Sequence, residues 1–142
     1  MLLKEMMTKD VVTVTPDTPL REVGKLLKDK RISGVPVVDE KGVPIGIVTV
    51  TDILKILKEI YQWQQIEKKA TGLNISDLVE KENLNKKVRD VMTKNVYTLT
   101  SDKNIGDLMN LVFSKNVHTI PIMENNKLVG VIGKRDLVFR CF

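Results

Sequence analysis

The sequence has few of the residues on which several classes of protein depend. Its 142 residues include one cysteine, Cys141, and one histidine, His118. A single cysteine can form neither an internal disulfide nor a cysteine zinc site, which is typical of a reducing cytoplasm. Neither residue has a plausible base or orienting acid beside it, so no nucleophile pair and no metal cluster is visible. We therefore expect a protein that is not an enzyme.

Long apolar runs are missing as well. No apolar run reaches the length that a membrane-spanning helix requires, about 18 residues or more. The N-terminal stretch MLLKEMMTKD has lysine and glutamate where a signal peptide needs apolar residues. We therefore expect a cytoplasmic protein without a membrane span. The hydrophobic content of 42% is enough for the core of one compact domain.

Aromatic residues are scarce, at 4% of the chain, although the formal net charge is +5. The 23 basic residues are interspersed with 18 acidic residues, and no basic run is longer than two. Surfaces that bind nucleic acid commonly combine a basic patch with aromatic platforms for the bases. We therefore do not expect nucleic acid as a partner, and a solvated surface explains the charge better.

The chain carries an internal repeat with an offset of 85 residues. MTKDVVTVTPD, which begins at Met7, matches MTKNVYTLTSD, which begins at Met92. Over residues 7–36, ten of thirty positions are identical to their partners. After a one-residue slip, GIVTVTDIL from Gly46 pairs with GVIGKRDLV from Gly130. The repeat predicts two copies of one unit that fold as a pseudo-symmetric pair.

Each copy has the pattern strand, helix, strand, strand, helix, which is an α/β arrangement. Period-2 and β-branched segments predict strands, and apolar residues at helical spacing predict helices. The predicted elements of the first copy are a strand over 11–14, a helix over 19–30, strands over 34–38 and 45–49, and a helix from about Thr51. In the second copy, the segment 96–99 corresponds to the first strand.

A helix-rich stretch separates the copies. The sequence predicts a first repeat over 1–61, a helical linker over 62–86 and a second repeat over 87–142, in one compact module. Within the linker, Gly72 is expected to end the long helix and Ser76 to cap a short one. For Tyr61 and Trp63, core packing or a dimer interface is expected.

Together these residues resemble the CBS (cystathionine β-synthase) motif. The resemblance rests on the MT start, the GVPVVD strand, the Gly-apolar-apolar-Thr-x-x-Asp ending, and the second occurrence of this combination. The chain resembles a tandem pair, or Bateman module, in which two repeats pack sheet to sheet about a pseudo-twofold axis. The resemblance implies two clefts that commonly hold AMP, ADP, ATP or S-adenosylmethionine as a regulatory ligand, with no catalytic cofactor.

Two interpretations fit the polar residues in GIVTVTDIL, where a strand meets a helix. Thr49 and Asp52 are typical of a helix N-cap. A helix N-terminus can also receive a phosphate, and a carboxylate one turn later can accept both hydroxyls of a ribose. The double repeat and the family resemblance favour contact with a ligand, and Asp52 can serve in both roles.

The resemblance also implies which residues line the clefts, since the base side comes from one repeat and the Thr-x-x-Asp segment from the other. The residues implied for the first cleft are Thr49, Asp52, Lys103, Leu108, Val117, His118, Thr119 and Pro121. Those implied for the second cleft are Thr18, Val23, Ile32, Ser33, Gly34, Val35, Pro36, Lys134, Arg135 and Asp136. An imidazole that can gain charge suits the phosphate, which points to His118.

These observations lead to a functional hypothesis with one alternative. The hypothesis is a stand-alone regulatory module that binds an adenosine nucleotide and signals to a partner protein that the sequence does not name. The alternative is an interaction module with vestigial clefts, which the glycine at Gly133 supports because the threonine is lost there. Apolar stripes on the helices of both repeats predict a homodimer.

The two clefts are expected to differ. The second junction carries Lys134 and Arg135, whose cations oppose the dipole at a helix N-terminus unless a polyphosphate offsets them. We therefore expect the first cleft to be the better AMP site and the second to bind more weakly or to favour more highly charged ligands.

Overall fold

The computed structural model describes residues 1–67 and 86–142, without the side chains of residues 63–67 and 141. The predictions for Gly72 and Ser76 fall outside the described residues, as does the side chain of Trp63. Most of the predicted linker is also outside them.

The described elements form two similar units in chain order. The first unit contains α1 (Leu3–Met6), α2 (Leu20–Lys30), β1 (Gly34–Val38), β2 (Pro44–Thr49) and α3 (Val50–Glu67). The second unit contains α4 (Val88–Val91), β3 (Leu99–Thr100), α5 (Ile105–Lys115), β4 (Thr119–Glu124), β5 (Lys127–Gly133) and α6 (Lys134–Cys141). This order of helices and small sheets confirms the predicted α/β fold class.

Each unit contains one small sheet. Strands β1 and β2 pair antiparallel, as do β4 and β5, while β3 runs parallel to β4. The β4–β5 hairpin turns through Asn125 and Asn126, which both have positive φ, as a tight two-residue hairpin requires. Helices α2 and α5 end at the equivalent residues Arg31 and Asn116, each with a φ of 53°.

The predicted strand over 11–14 is wrong, because only Val14 joins the sheet, through an isolated parallel bridge to Val37. The equivalent pair in the second unit lies within β3 and β4, where Ser101 also donates its N–H to the Met123 carbonyl at 3.0 Å. Pro16 occupies the position equivalent to Ser101 and has no N–H to donate. The ladder therefore ends earlier in the first unit.

The segments with which the repeats begin, here called the lead-in segments (1–12 and 86–97), cross between the units. The N–H of Leu3 donates to the Lys103 carbonyl at 2.9 Å, and Thr8 pairs with Val131 in the second unit. In return, the N–H of Val88 donates to the Thr18 carbonyl in the first unit, also at 2.9 Å. The exchange is therefore reciprocal.

Each hydrophobic core is completed by the other repeat's lead-in segment. The core of the second unit consists of Leu3, Met6, Leu108, Val112, Ile120, Ile122 and Ile132. The core of the first unit consists of Val14, Val23, Leu27, Val35, Val37, Val48 and Val88. Because Leu3 and Val88 are completely buried in cores that they do not adjoin in sequence, the two units form one packed body.

Two glycines make the exchange sterically possible. A Cβ placed on Gly130 would stand 2.7 Å from Cγ and 3.0 Å from Cβ of Met7. A Cβ on the equivalent Gly46 would stand 2.8 Å from Sδ of Met92 and 3.1 Å from the Thr93 carbonyl oxygen. Each lead-in methionine therefore packs directly on the backbone of a strand glycine in the other unit.

This contact predicts that Gly130→Ala destabilises the protein by about 1–3 kcal/mol, the usual cost of overpacking a filled core. Gly24→Ala is the matched control, since a Cβ at that position in α2 meets no heavy atom within 4 Å. The control should be more stable by about 0.5–1 kcal/mol, because alanine favours a helix. Urea unfolding at one protein concentration measures both, and a Gly130→Ala variant as stable as the parent would contradict the packing described.

Candidate functional site

Two clefts lie between the repeats. The first has a volume of about 250 Å³ and is lined by Ile47, Thr49, Thr51, Asp52, Lys55, Thr93, Asn95, Tyr97, Asn116, Val117, His118 and Thr119. The second has a volume of about 230 Å³ and is lined by Thr8, Asp10, Val12, Arg31, Ile32, Ser33, Gly34, Thr119, Val131, Gly133, Arg135, Asp136 and Phe139. Each cleft therefore has a wall from each repeat.

The two linings are equivalent residue by residue. All 12 residues of the first cleft have a repeat counterpart among the 13 of the second, and the remaining one is Thr119, which borders both. The lead-in and strand-start residues follow the offset of 85, as in Thr93 with Thr8, and the junction residues follow an offset of 84, as in Asp52 with Asp136. The pseudo-twofold symmetry of the sequence thus extends to the clefts.

A capping box closes the β2–α3 junction in the first cleft. Oδ2 of Asp52 accepts the backbone N–H of Thr49 at 2.8 Å and its hydroxyl at 3.1 Å, while the N–H of Asp52 donates to Oγ1 of Thr49 at 3.3 Å. Asp52 is 9% exposed. Its other oxygen, Oδ1, has no hydrogen bond within the described residues. One carboxylate oxygen caps the helix, and the other remains available to a ligand.

The junction of the second cleft has the same backbone geometry but fewer side-chain hydrogen bonds. Oδ2 of Asp136 accepts the N–H of Gly133 at 2.7 Å, but glycine supplies no hydroxyl. The next N–H, of Lys134, donates to the His118 carbonyl at 2.8 Å, as the N–H of Val50 does to Ser33 in the first unit at 2.9 Å. Both junctions are therefore fixed to the neighbouring strand.

The clefts differ in charge. The first contains one ammonium group, of Lys55, which lies on the same helix as the Asp52 carboxylate. The second contains the guanidinium groups of Arg31 and Arg135, and that of Arg135 lies 5.5 Å from the centre of the Phe139 ring. A guanidinium over an aromatic face keeps its hydrogen-bond donors directed outward, where an anion can reach them.

The structure brings together ten of the residues that the sequence predicted for the clefts. In the first cleft these are Thr49, Asp52, Val117, His118 and Thr119. In the second cleft they are Ile32, Ser33, Gly34, Arg135 and Asp136. Both sets combine a strand start from one repeat with a junction from the other, as the family resemblance implied.

The other eight predicted residues do not line the clefts. Five of them are buried in or beside the cores, namely Val23, Val35, Pro36, Leu108 and Pro121. Val23, Val35 and Leu108 belong to the two cores. Pro36 and Pro121 alternate with core residues along β1 and β4 and are buried on the other face of each sheet. The remaining three are Thr18, Lys103 and Lys134.

These three residues have other surroundings. The Thr18 hydroxyl accepts the N–H of Thr15 at 3.0 Å in a turn. Lys103 lies in the turn before α5, where the Thr100 hydroxyl and, to a smaller extent, the Lys103 charge hold the pKa of the exposed Asp102 carboxyl below its ordinary value. Lys134 is exposed at the start of α6. None of the three contributes to a cleft wall.

Sequence reasoning missed the third wall of each cleft. It is formed by alternate lead-in residues, Thr8, Asp10 and Val12 in the second cleft and Thr93, Asn95 and Tyr97 in the first. In an extended chain every second side chain points to the same face. This alternation of side chains, within the MTK segments that match strongly between the repeats, could have predicted the third wall.

Within residues 1–67 and 86–142, no group of three His, Cys, Asp or Glu side chains is placed to hold a metal ion. No helix of these ranges combines the length and apolarity needed to cross a membrane.

Comparison with known sequences gives one family. The model of the CBS domain matches residues 3–59 and 88–141. The uncharacterized protein MJ1426 of Methanocaldococcus jannaschii is 32% identical over 152 residues, which cover 97% of this chain and 89% of that protein. Inosine-5'-monophosphate dehydrogenase of the same organism is 31% identical over 137 residues, which cover 96% of this chain and 23% of the enzyme. The chain spans less than half the length of other relatives as well, 36% of MJ1232 and 42% of MJ0188 from the same organism.

Solved structures share the fold. The CBS-domain containing protein ATU1752 from Agrobacterium tumefaciens has a TM-score of 0.77 and 27% identity, with full coverage of both chains. The CBS domain pair of MJ0100, in complex with 5'-methylthioadenosine and S-adenosyl-L-methionine, has a TM-score of 0.76 and 22% identity, covering 99% of this chain and 95% of that one. CBSX2 in complex with AMP has a TM-score of 0.72 and 23% identity, with the same coverage. The chain therefore belongs to the CBS domain family, as a tandem pair of CBS repeats.

Proposed function

We propose that this chain is a regulatory module that binds an adenosine nucleotide in the clefts between its repeats. A partner protein responds to whether the clefts are occupied or empty. The chain itself is not an enzyme. The observation that carries the proposal is the residue-by-residue equivalence of two clefts that each end at a carboxylate on a helix N-terminus. The adenosine ligands of the MJ0100 and CBSX2 structures, which have the same fold, support this choice of ligand.

The first cleft has groups for each part of an adenosine nucleotide. The free oxygen of Asp52 can accept the ribose hydroxyls, a charge-assisted interaction. The N-terminus of α3, the Lys55 ammonium and the His118 imidazole are donors suited to phosphate. Val117 at the strand start and Tyr97 on the lead-in wall offer apolar surface for the base. These groups favour AMP in this cleft.

The second cleft suits a more highly charged ligand. It lacks the junction hydroxyl because Gly133 stands where Thr49 stands in the first cleft, but it has two guanidinium groups, of Arg31 and Arg135. Guanidinium groups bind phosphate oxygens in pairs, so additional phosphates gain contacts there. ATP is accordingly the expected ligand of this cleft.

The alternative is a dimeric interaction module whose clefts bind nothing. The observation in its favour is that Asp52 and Asp136 each already cap a helix. Capping alone would account for both carboxylates without a ligand.

Thermal unfolding with added ligand separates the two functions. AMP, ATP or S-adenosylmethionine present at 100 times its Kd should raise the free energy of unfolding by about 2.7 kcal/mol, because it binds only the folded state. ADP belongs in the same series. No change in the midpoint with any of the four at millimolar concentration would favour the interaction module.

Conservative substitutions test the assignment of the clefts. Asn keeps one acceptor oxygen for the cap but loses the charge, so Asp52→Asn should fold normally and lose about tenfold or more in AMP affinity. Asp136→Asn is the matched variant, and it should weaken ATP binding while AMP affinity changes less than about twofold, well under the 1.5–3 kcal/mol of a charged hydrogen bond. Titration calorimetry measures both ligands. Equal losses for both ligands in both variants would contradict the asymmetry.

We also propose that the module is a homodimer joined through its helices. Large apolar side chains remain exposed in the single chain, among them Leu54 of α3 at 60%, Phe113 of α5 at 81% and Val138 of α6 at 55%. Burial of such a surface against a second copy removes an apolar patch from water. A twofold arrangement would use the same helices of both copies.

Sedimentation velocity tests the dimer with two glutamine variants on α3. Leu54→Gln removes an exposed apolar side chain and should shift the protein toward monomer at micromolar concentration. Glu59→Gln, on another side of the same helix, is the control and should sediment as the parent does. A parent protein that is monomeric, or a control that dissociates equally, would exclude this interface.

A further inference from the structure

Thr119 occupies the wall that the two clefts share. It is the first residue of β4 and the residue found in the lining of both cavities. The side chain is buried, with 8% of the residue exposed. Its hydroxyl has no hydrogen-bond partner among the described residues. A buried hydroxyl without a partner carries a free-energy cost, so a group that enters from either side and bonds to it is favoured.

The repeat counterpart of Thr119 is a glycine. Gly34 begins β1, and a Cβ placed on it would stand 2.9 Å from Oγ1 of Thr119. The wall therefore has room for one side chain, and the second repeat supplies it. Two equivalent clefts thus share a single polar group, whereas every other lining residue belongs to one cleft.

The strand ladders place this group next to both junctions. Thr119 pairs with Gly133 across β4 and β5, and Gly34 pairs with Thr49 across β1 and β2. Gly133 and Thr49 are the residues that precede α6 and α3. A ligand seated at either junction therefore lies close to the shared wall.

We propose that Thr119 makes the two clefts compete, so that a nucleotide in one lowers the affinity of the other for its own nucleotide. This proposal rests on the proposed function. Ligands in the two clefts approach Thr119 from opposite sides, and each brings phosphate and ribose oxygens that can accept its proton. A hydroxyl has one proton to donate, so it can satisfy one of two identical acceptors at a time. The second ligand then binds without this hydrogen bond.

The size of the coupling follows from the bond that is lost. Loss of one neutral hydrogen bond weakens the affinity for a ligand by about three- to tenfold. Linkage requires the same factor in both directions, whichever cleft is filled first. Thr119→Val keeps the shape of the side chain and removes the hydroxyl, while Thr119→Ser keeps the hydroxyl.

The experiment compares the affinity of one cleft alone with its affinity when the other is filled. ATP binding to the second cleft is measured by calorimetry in the parent protein, at an AMP concentration that fills its first cleft, and at the same AMP concentration in Asp52→Asn, where the first cleft is impaired. The parent should bind ATP about three- to tenfold more weakly than Asp52→Asn does. In the Thr119→Val background the two affinities should be equal, and in the Thr119→Ser background the difference should remain.

The outcomes separate this proposal from the one on which it rests. Equal affinities in the parent and in Asp52→Asn, with ATP binding intact, overturn the coupling and leave the nucleotide module standing. A difference that persists in Thr119→Val overturns the role of the hydroxyl. Absence of ATP, ADP, AMP and S-adenosylmethionine binding in the parent overturns both proposals.

Discussion

The reciprocal contact between a lead-in methionine and a strand glycine is the constraint on which the rest of the structure depends. Met7 covers Gly130 in the second unit, and Met92 covers Gly46 in the first. With any side chain at either glycine, the lead-in segment would be displaced from the strand. Since each segment also carries buried apolar residues, its displacement would open the other unit's core. Two small sheets, each too small to enclose a core, become one body through this exchange.

The clefts are a by-product of the same packing. When the lead-in segment of one repeat crosses to the strand of the other, it passes beside the junction between that strand and its helix. The junction needs a cap, which Asp52 and Asp136 supply, and the cap places a carboxylate at the bottom of a three-sided space. Helix capping and ligand contact are therefore compatible uses of one side chain, because they use different oxygens of the carboxylate.

Local elements were predictable where a short periodic pattern decides them, as for α2 and β1, whose bounds agree with the sequence to within one residue. The strand predicted over 11–14 is reduced to Val14, and its ladder ends one pair earlier than that of Leu99 because Pro16 lacks the N–H that Ser101 donates, a detail that β-propensity does not register. Neither 11–13 nor 96–98 forms a strand. The exchange was not predictable, since the residues in contact lie more than 100 positions apart for Met7 and Gly130. For the site, the internal sequence repeat alone predicted both strand–helix junctions. The family resemblance added Leu108 to the predicted first cleft, although the position of Leu108 in the helical period already indicated that its side chain lies in the core.

The exchange also sets an order of events during synthesis. Leu3 and Met6 leave the ribosome long before Ile132, which belongs to the core that they complete. At 5–20 residues per second, roughly 6 to 26 seconds separate the emergence of Leu3 from that of Ile132. During that interval α1 has no core in which to dock, and the exposed Lys4 and Glu5 between its apolar residues keep the segment hydrated. The other core needs Val88 and Met92 from the second repeat, so the first repeat can close while the rest of the second is still being translated.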